Sequence, residues 1–375
     1  MSVAYKPTVF LFGKLPPPYM GPSIATELLL RSALNDEFKL IHIDTRINSS
    51  LSTMGKFSLK KLIGQFKVYV NLISKLIRLK PALAWIPISQ SKGGFAKDAI
   101  LILLCRFLGT RVLIHLRGSE FRDRMENGSS LNLKFVRFVL GKTSGVIVLG
   151  ERLKSIFLGW IPEDRIYVCP NGGDFSIPEK PLSTDDTIRL LYIGNLQPGK
   201  GVDDLLQAFC LLPEPIKSRT ELTLLGAWRD TETRQRCTEL IQTKGLRVLV
   251  YGQHESGRKF ELLSKADLFV FPPRDPEGHP WVIVEAMAAG LPVITTDRGA
   301  IAESVEDGYN GYIVPLNSPV ELAGGIAELS QNPEKRKRMG AASRKRYLER
   351  FTEQAMVTQL NRIIHTVIER PKCNN

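Results

Sequence analysis

Apolar residues in this chain gather into short continuous runs, bounded by Gly, Pro or polar residues and mostly separated by stretches of helical periodicity. In the first half the runs cover residues 9–12, 40–43, 83–88, 112–116, 146–149 and 166–168. In the second they cover 190–193, 222–225, 248–251, 268–271, 293–295 and 312–314. Runs without polar alternation read as strands buried on both faces, and strands alternating with helices read as parallel sheets covered by those helices. The pattern predicts an α/β protein with two doubly wound domains of six strands each. Pro178, Pro181, Ser183 and two aspartates interrupt it over 177–187, which sets the domain limits at 1–180 and 187–352. Ligands of such sheets bind outside the carboxyl ends of the strands, so a cleft between two facing domains is the expected site.

A length of 375 residues, 43% apolar and 24% charged, agrees with two ordered domains and excludes a disordered chain. The longest uninterrupted apolar run, 99–105, falls far short of the roughly 20 residues a membrane-spanning helix needs. The N-terminal residues lack the layout of a signal peptide, so a cytoplasmic protein is expected. Cys105, Cys169, Cys210, Cys237 and Cys373 stand singly, with no C-x-x-C pair and no His at ligand spacing; neither a disulfide framework nor a zinc site is supported.

The net charge of +13 is unevenly placed: residues 1–180 hold all of the excess and residues 181–375 are neutral. Between Asp44 and Asp98 no acidic residue occurs, while ten basic ones do. Within that stretch Leu59, Leu62, Ile63, Phe66, Val70, Ile73 and Ile77 recur at helical spacing, with Lys60, Lys67, Lys75 and Arg78 outside the stripe. The segment reads as an amphipathic basic helix, which either solvates its charges over a packed apolar side or rests on anionic lipid through Lys60, Lys61 and Lys67. A nucleic-acid partner is not expected, because neither interleaved aromatics nor a recognition motif accompanies the charge.

Two constellations offer chemistry. The first, Tyr192-Ile193-Gly194-Asn195-Leu196-Gln197-Pro198-Gly199-Lys200-Gly201, leaves a strand through a glycine-rich turn and enters a helix at about Val202. Small residues and helix-start N–H groups suit a phosphate, and Lys200 adds a charge. Gly194 to Lys200 matches G-x4-G-K of a P-loop, but Gly201 stands where Ser or Thr should hold magnesium. The second runs from Glu277 through Gly278, His279, Pro280, Trp281, Val282 and Glu285 to Gly290. Pro280 and Gly290 fit the two ends of a helix whose free N–H groups lie around 278–282. Glu277 and Glu285 then sit at different depths, at the helix mouth and about one turn inside.

Together, Glu277-x7-Glu285, the Ala-Ala-Gly-Leu-Pro-Val-Ile run that follows it and the upstream Gly-x5-Lys-Gly turn resemble the retaining glycosyltransferases of family four. That resemblance implies the GT-B fold, two facing Rossmann-like domains, with a C-terminal helix near 353–370 packed back on the first. It also implies a metal-independent transfer from a nucleotide-sugar, UDP- or GDP-linked, with no cofactor. Carried onto this chain, Glu285 receives the ribose hydroxyls, Glu277 and the 278–282 backbone hold sugar and diphosphate, and Lys200 neutralises phosphate. Asn195 stands where the family has Arg, and Gly226 and Gln253 lie beside the presumed base pocket.

On the acceptor side, Gly21 resembles the family's Gly-Gly loop with Pro22 in place of the second glycine. His115-Leu116-Arg117-Gly118-Ser119-Glu120 resembles its His-Gly strand end. Either His115 or Arg117 then reaches the sugar, Arg117 being favoured. The expected acceptor is a saccharide or lipid-linked saccharide of envelope polysaccharide assembly, at the inner face of the plasma membrane. A phosphorylase or epimerase of the same architecture, or a non-catalytic nucleotide-sugar- or polysaccharide-binding subunit, is the alternative.

Overall fold

The computed structural model describes residues 6–17, 21–45, 59–181, 185–252 and 256–371; side chains are described from 69 onward in the helix Leu59–Leu79 and from 258 onward in the helix Ser256–Lys265. The chain divides into two compact units, one made of the residues up to Pro170 together with those from Met356 on, the other of Asn171–Ala355.

The first unit is a parallel sheet of β1 (Thr8–Gly13), β2 (Lys39–Asp44), β3 (Leu83–Ile88), β4 (Arg111–Leu116), β5 (Gly145–Val148) and β6 (Ile166–Val168), in the order β2-β1-β3-β4-β5-β6. The inner strands β3 and β4 read as continuous apolar runs because they are buried along nearly their whole length, whereas the edge strand β2, which also reads as a run, is only partly covered. Met356, Val357, Leu360, Ile363, Ile364 and Val367 repeat at three- and four-residue spacing in the helix Glu353–Glu369. They close one face of this sheet against Val9, Leu11, Leu83, Trp85, Leu113 and Ile147.

The second unit contains β7 (Ile188–Ile193), β8 (Thr220–Leu225), β9 (Val248–Tyr251), β10 (Leu268–Phe271), β11 (Val293–Thr296) and β12 (Gly311–Val314), all parallel, in the order β12-β11-β10-β7-β8-β9. This is the Rossmann strand order, and its direction of progression reverses between β7 and β10. Edge strand β9 exposes Leu249 and Val250, so its apolar run does not mean burial on both faces.

Two expectations shift. The compositional break at 177–187 lies a few residues after the division between the units at Asn171, because the intervening segment is bound to the second unit. The Gly173 N–H donates to the Phe351 carbonyl, and Phe175 packs against Phe260, Trp281 and Tyr347. In the helix Leu59–Leu79 the described side chains bury Leu72 and Leu76, whereas Val70 and Ile77 of the expected stripe are 49% and 56% exposed. The packed stripe is rotated by about one residue step, roughly 100°. Lys60, Lys61 and Lys67 are on this helix, but their side chains lie outside the described residues. Cys105, Cys169, Cys210 and Cys237 are free, and Cys373 lies outside the described residues.

The last helix is therefore a structural part of the first unit. Ile364→Ala, at a fully buried position, is expected to cost about 2–5 kcal/mol of stability, measured by denaturant unfolding.

Candidate functional site

In an open parallel sheet the loops at the carboxyl ends diverge where the strand order reverses, leaving a crevice. In the second unit that point lies between β7 and β10, which pair at Leu190–Leu268 and Leu191–Phe269. The loops leaving these two strands hold both sequence constellations, so the topology brings together what the chain separates by about eighty residues.

The glycine-rich turn is shaped by its neighbour loop. A Cβ on Gly199 would lie 1.8 Å from Asp275 Oδ2, and one on Gly201, at φ +75°, would lie 1.9 Å from the Pro272 carbonyl oxygen. Only glycine accommodates both demands at position 201. The N–H groups of Arg274 and Asp275 donate to the Gly199 carbonyl at 3.0 and 2.9 Å, and Arg274 pairs with buried Asp204 at the start of the helix Val202–Leu211. The Tyr192 hydroxyl lies 3.0 Å from the Asn195 carbonyl and 3.3 Å from that of Lys200, tying the ends of the turn; burial pushes its pKa well up. The glycines expected to let a phosphate approach thus first let two backbones approach each other.

The second constellation forms the helix Trp281–Ala288, with Pro280 as N-cap and no side-chain cap, and Gly290 in the left-handed conformation beyond its end. The Ile283 N–H turns back to the Pro280 carbonyl at 3.2 Å, and a helix start leaves its first N–H groups, here those of Trp281 and Val282, without intrahelical acceptors, which gives a partial positive charge at the mouth. Glu277, just before the mouth, forms an ion pair with Lys200. Burial raises the carboxyl pKa above its ordinary value, and Lys200 opposes that rise without cancelling it. Glu285, one turn inside and 5% exposed, receives a hydrogen bond on Oε1 from Lys259 Nζ at 2.6 Å, while its buried Oε2 has no partner. Among the described residues, no group of three or more His, Cys, Asp or Glu side chains is placed to hold a metal.

Lys259 was not among the sequence candidates. It lies four residues before fully buried Leu263 on the helix Ser256–Lys265, and so on its core-facing side. A lysine on an apolar face was the available signal, but its partner follows twenty-six residues later and only the fold joins them.

The remaining candidates of this unit are placed as follows. The His279 ring is engaged on both nitrogens: Nδ1 accepts from the Asn171 N–H at 3.0 Å, and Nε2 lies 2.7 Å from Ser304 Oγ. With Nδ1 accepting, Nε2 holds the proton and donates it. Burial pulls the imidazole pKa down to about 3, so the ring is a neutral joint. The Gly278 carbonyl accepts from the Ala300 N–H at 2.9 Å. Gly226 packs its Cα against the Gly194 carbonyl, where a Cβ would lie at 1.8 Å. Val282 is partly buried against the core, Asn195 is half-buried in the turn, and Gln253 lies outside the described residues.

In the first unit, His115 on β4 is buried, stacks on Trp85 at 5.9 Å, and has no partner on either ring nitrogen. Burial, reinforced by Arg117, pushes its pKa well below the usual imidazole value. Burial also lowers the Arg117 guanidinium to about 10, which leaves it charged at neutral pH. The Glu120 carboxylate pairs with Arg124 at 2.8 Å, and its N–H donates to Gln90 Oε1 at 2.7 Å. Gly21 begins the helix Gly21–Arg31.

Residues 174–346 match the model of the family Glycosyl transferases group 1. An uncharacterised glycosyltransferase of Methanocaldococcus jannaschii is 30% identical over 358 residues, covering 92% of this chain and 95% of the relative. The lipopolysaccharide 1,2-N-acetylglucosaminetransferase of Salmonella typhimurium is 26% identical over 279 residues, covering 67% and 68%. For other curated relatives the chain spans less than two thirds of their length, 65% of one and 46% and 47% of two more. Among solved structures, that of Anabaena HepE in complex with UDP-glucose superposes with a TM-score of 0.73 at 18% identity, over 96% of this chain and 100% of that one, a likeness of fold. The fold is GT-B, and the chain belongs to the glycosyl transferases group 1 family.

Proposed function

We propose that the chain is a retaining glycosyltransferase which takes a sugar from a nucleotide-diphosphate donor bound at the β7/β10 switch point. The observation that supports this most is Glu285: a buried carboxylate with one unpartnered oxygen, one turn inside a helix whose amino end is uncapped. A carboxylate oxygen enclosed without a donor is costly, and a ribose hydroxyl would satisfy it. The helix-start amides would then receive the diphosphate. UDP is the favoured nucleotide, since HepE is recorded with UDP, with UDP and glucose, and with UDP-glucose.

As the glycosidic bond breaks, negative charge grows on the leaving diphosphate. Fixed amides and a lysine aimed at that charge lower the barrier without reorganising. Lys200 is the lysine, moving from Glu277 to the phosphate, and Glu277 is thereby freed for a sugar hydroxyl. With Glu277 engaged by a sugar hydroxyl and not aimed at the anomeric carbon, substitution on the donor's own leaving-group face, with no covalent intermediate, accounts for retention. The same cationic groups make the reaction independent of a metal ion.

The acceptor is assigned to the first unit, where Arg117 retains its charge beside neutral His115. A lipid-linked saccharide at the cytoplasmic membrane surface is the class that fits best. Exposed Val70 and Ile77, seven residues apart, share one side of a helix that also carries Arg78, and apolar groups beside basic charge are what anionic lipid attracts. The Salmonella relative is named for lipopolysaccharide. No helix among the described residues is long and apolar enough to cross a membrane.

Glu285→Gln and Lys200→Ala are each expected to weaken UDP about ten- to a hundredfold in calorimetric titration while the unliganded melting temperature stays within a few degrees. Unaltered affinity in both would place the nucleotide elsewhere. With an accepted sugar donor, NMR of the first-formed product should show the donor's anomeric configuration, at a rate that EDTA leaves unchanged; inversion or a metal requirement would refute that chemistry. Changing Lys60, Lys61 and Lys67 together to Gln should lower flotation with anionic vesicles by a factor of ten or more, at about 1 kcal/mol per charge; equal flotation removes the membrane assignment.

A further inference from the structure

We propose that Lys259 is a positioning residue for nucleotide recognition, clamping one oxygen of Glu285 so that the other is presented to a ribose hydroxyl. This rests on the donor-site reading above and adds to it a residue outside both sequence constellations.

Lysine is rarely turned toward a core unless its charge is paired. Here it is paired once, to Glu285 Oε1 at 2.6 Å, and the Phe260 ring centroid lies 4.8 Å from the ammonium. The contact is one-sided. A guanidinium would engage both carboxylate oxygens as a fork, whereas an ammonium at one oxygen fixes the carboxylate and leaves Oε2 for another donor. Oε2 is enclosed and has no such donor in the unliganded protein. A flexible glutamate could turn toward any donor nearby; one held at Oε1 offers Oε2 in a single direction. The ammonium also supplies the counter-charge without which a buried carboxylate is strongly disfavoured. Lys259 thereby makes ribose hydroxyl recognition directional, and a ribonucleotide is distinguished from its deoxy analogue.

The test titrates UDP, 2′-deoxy-UDP and 3′-deoxy-UDP against wild type, Lys259→Met, Lys259→Arg and Glu285→Gln. Wild type should bind at least one deoxy probe about tenfold more weakly than UDP. Lys259→Met should weaken UDP by a similar factor and bind all three probes alike. Lys259→Arg, although it keeps the charge, should bind UDP nearly as weakly as Lys259→Met and with as little preference, because the fork occupies Oε2 as well. If the unliganded melting curve shows that Lys259→Met does not fold, Lys259→Gln is read in its place. A purely structural lysine would lower affinity for the three probes equally, and that result overturns the proposal. Retention of the preference in Lys259→Met with its loss in Glu285→Gln also overturns it, leaving the donor site intact. Failure of wild type to bind any of the three refutes the donor-site reading itself, and this inference with it.

Discussion

The contact on which the site depends is between two backbones. The loop after β10 packs on the turn after β7 so closely that Gly201 meets the Pro272 carbonyl and tolerates no side chain, and two N–H groups of one loop share a single carbonyl of the other. Everything chemical in the second unit hangs from this seam. Lys200 projects from one side and Glu277 from the other, and their ion pair forms because the seam holds both ends. Buried Asp204 pairing with Arg274 makes the same joint from beneath. A protein that put a larger residue at 201 would lose more than a turn: it would separate the groups that the switch point assembles.

The electrostatics follow from how these charges are matched. Lys200 is opposed by Glu277 and Lys259 by Glu285, so these four side chains contribute no net charge between them. What attracts an anion is then the uncapped start of the helix Trp281–Ala288, together with whatever charge is released when a ligand exchanges partners with a lysine. This explains how the second half of the sequence can be electrically neutral and still suit a diphosphate. It also makes recognition depend on geometry: exchanging a carboxylate partner for a phosphate gains little unless the displaced carboxylate finds a hydroxyl, and a sugar nucleotide provides both.

The fold was largely legible in the chain because each inner strand is covered on both faces and so reads as an unbroken apolar run; β3, β4, β8 and β10 fall within a residue or so of their runs. Position within a sheet was not legible, since edge strand β9 has the same composition as an inner one yet exposes Leu249 and Val250. The helix Leu59–Leu79 misled for a related reason. With apolar residues on more than one side, periodicity admits several stripes, and contact with the sheet selects Leu72 and Leu76. In the site, Glu277 and Glu285 stood out because their spacing about one helix start fixes their relative depth, and Lys200 because it stands in a glycine-rich turn between a strand and a helix. Lys259 did not, because its importance arises from a partner on another helix. His279 was conspicuous in sequence for its neighbours, but its ring joins Asn171 to Ser304.

The first unit resolves its charge differently. It holds the whole excess of basic residues, yet behind the end of β4 burial works against accumulation: it strips the proton from His115 and pulls Arg117 down to about 10. Two neighbouring bases in a dry environment cannot both remain charged, and the one with the higher intrinsic basicity keeps its proton. One permanent cation beside a neutral, unpartnered imidazole differs in kind from a basic patch. It offers a single fixed charge and a ring that can donate or accept, which suits orienting a polar molecule more than holding a highly charged one. The surface excess is a different case, because solvated lysines act only within the range of the ionic atmosphere, about 8–10 Å, and their field is screened. Charge in this unit is therefore of two kinds, screened where it is exposed and fixed where it is buried.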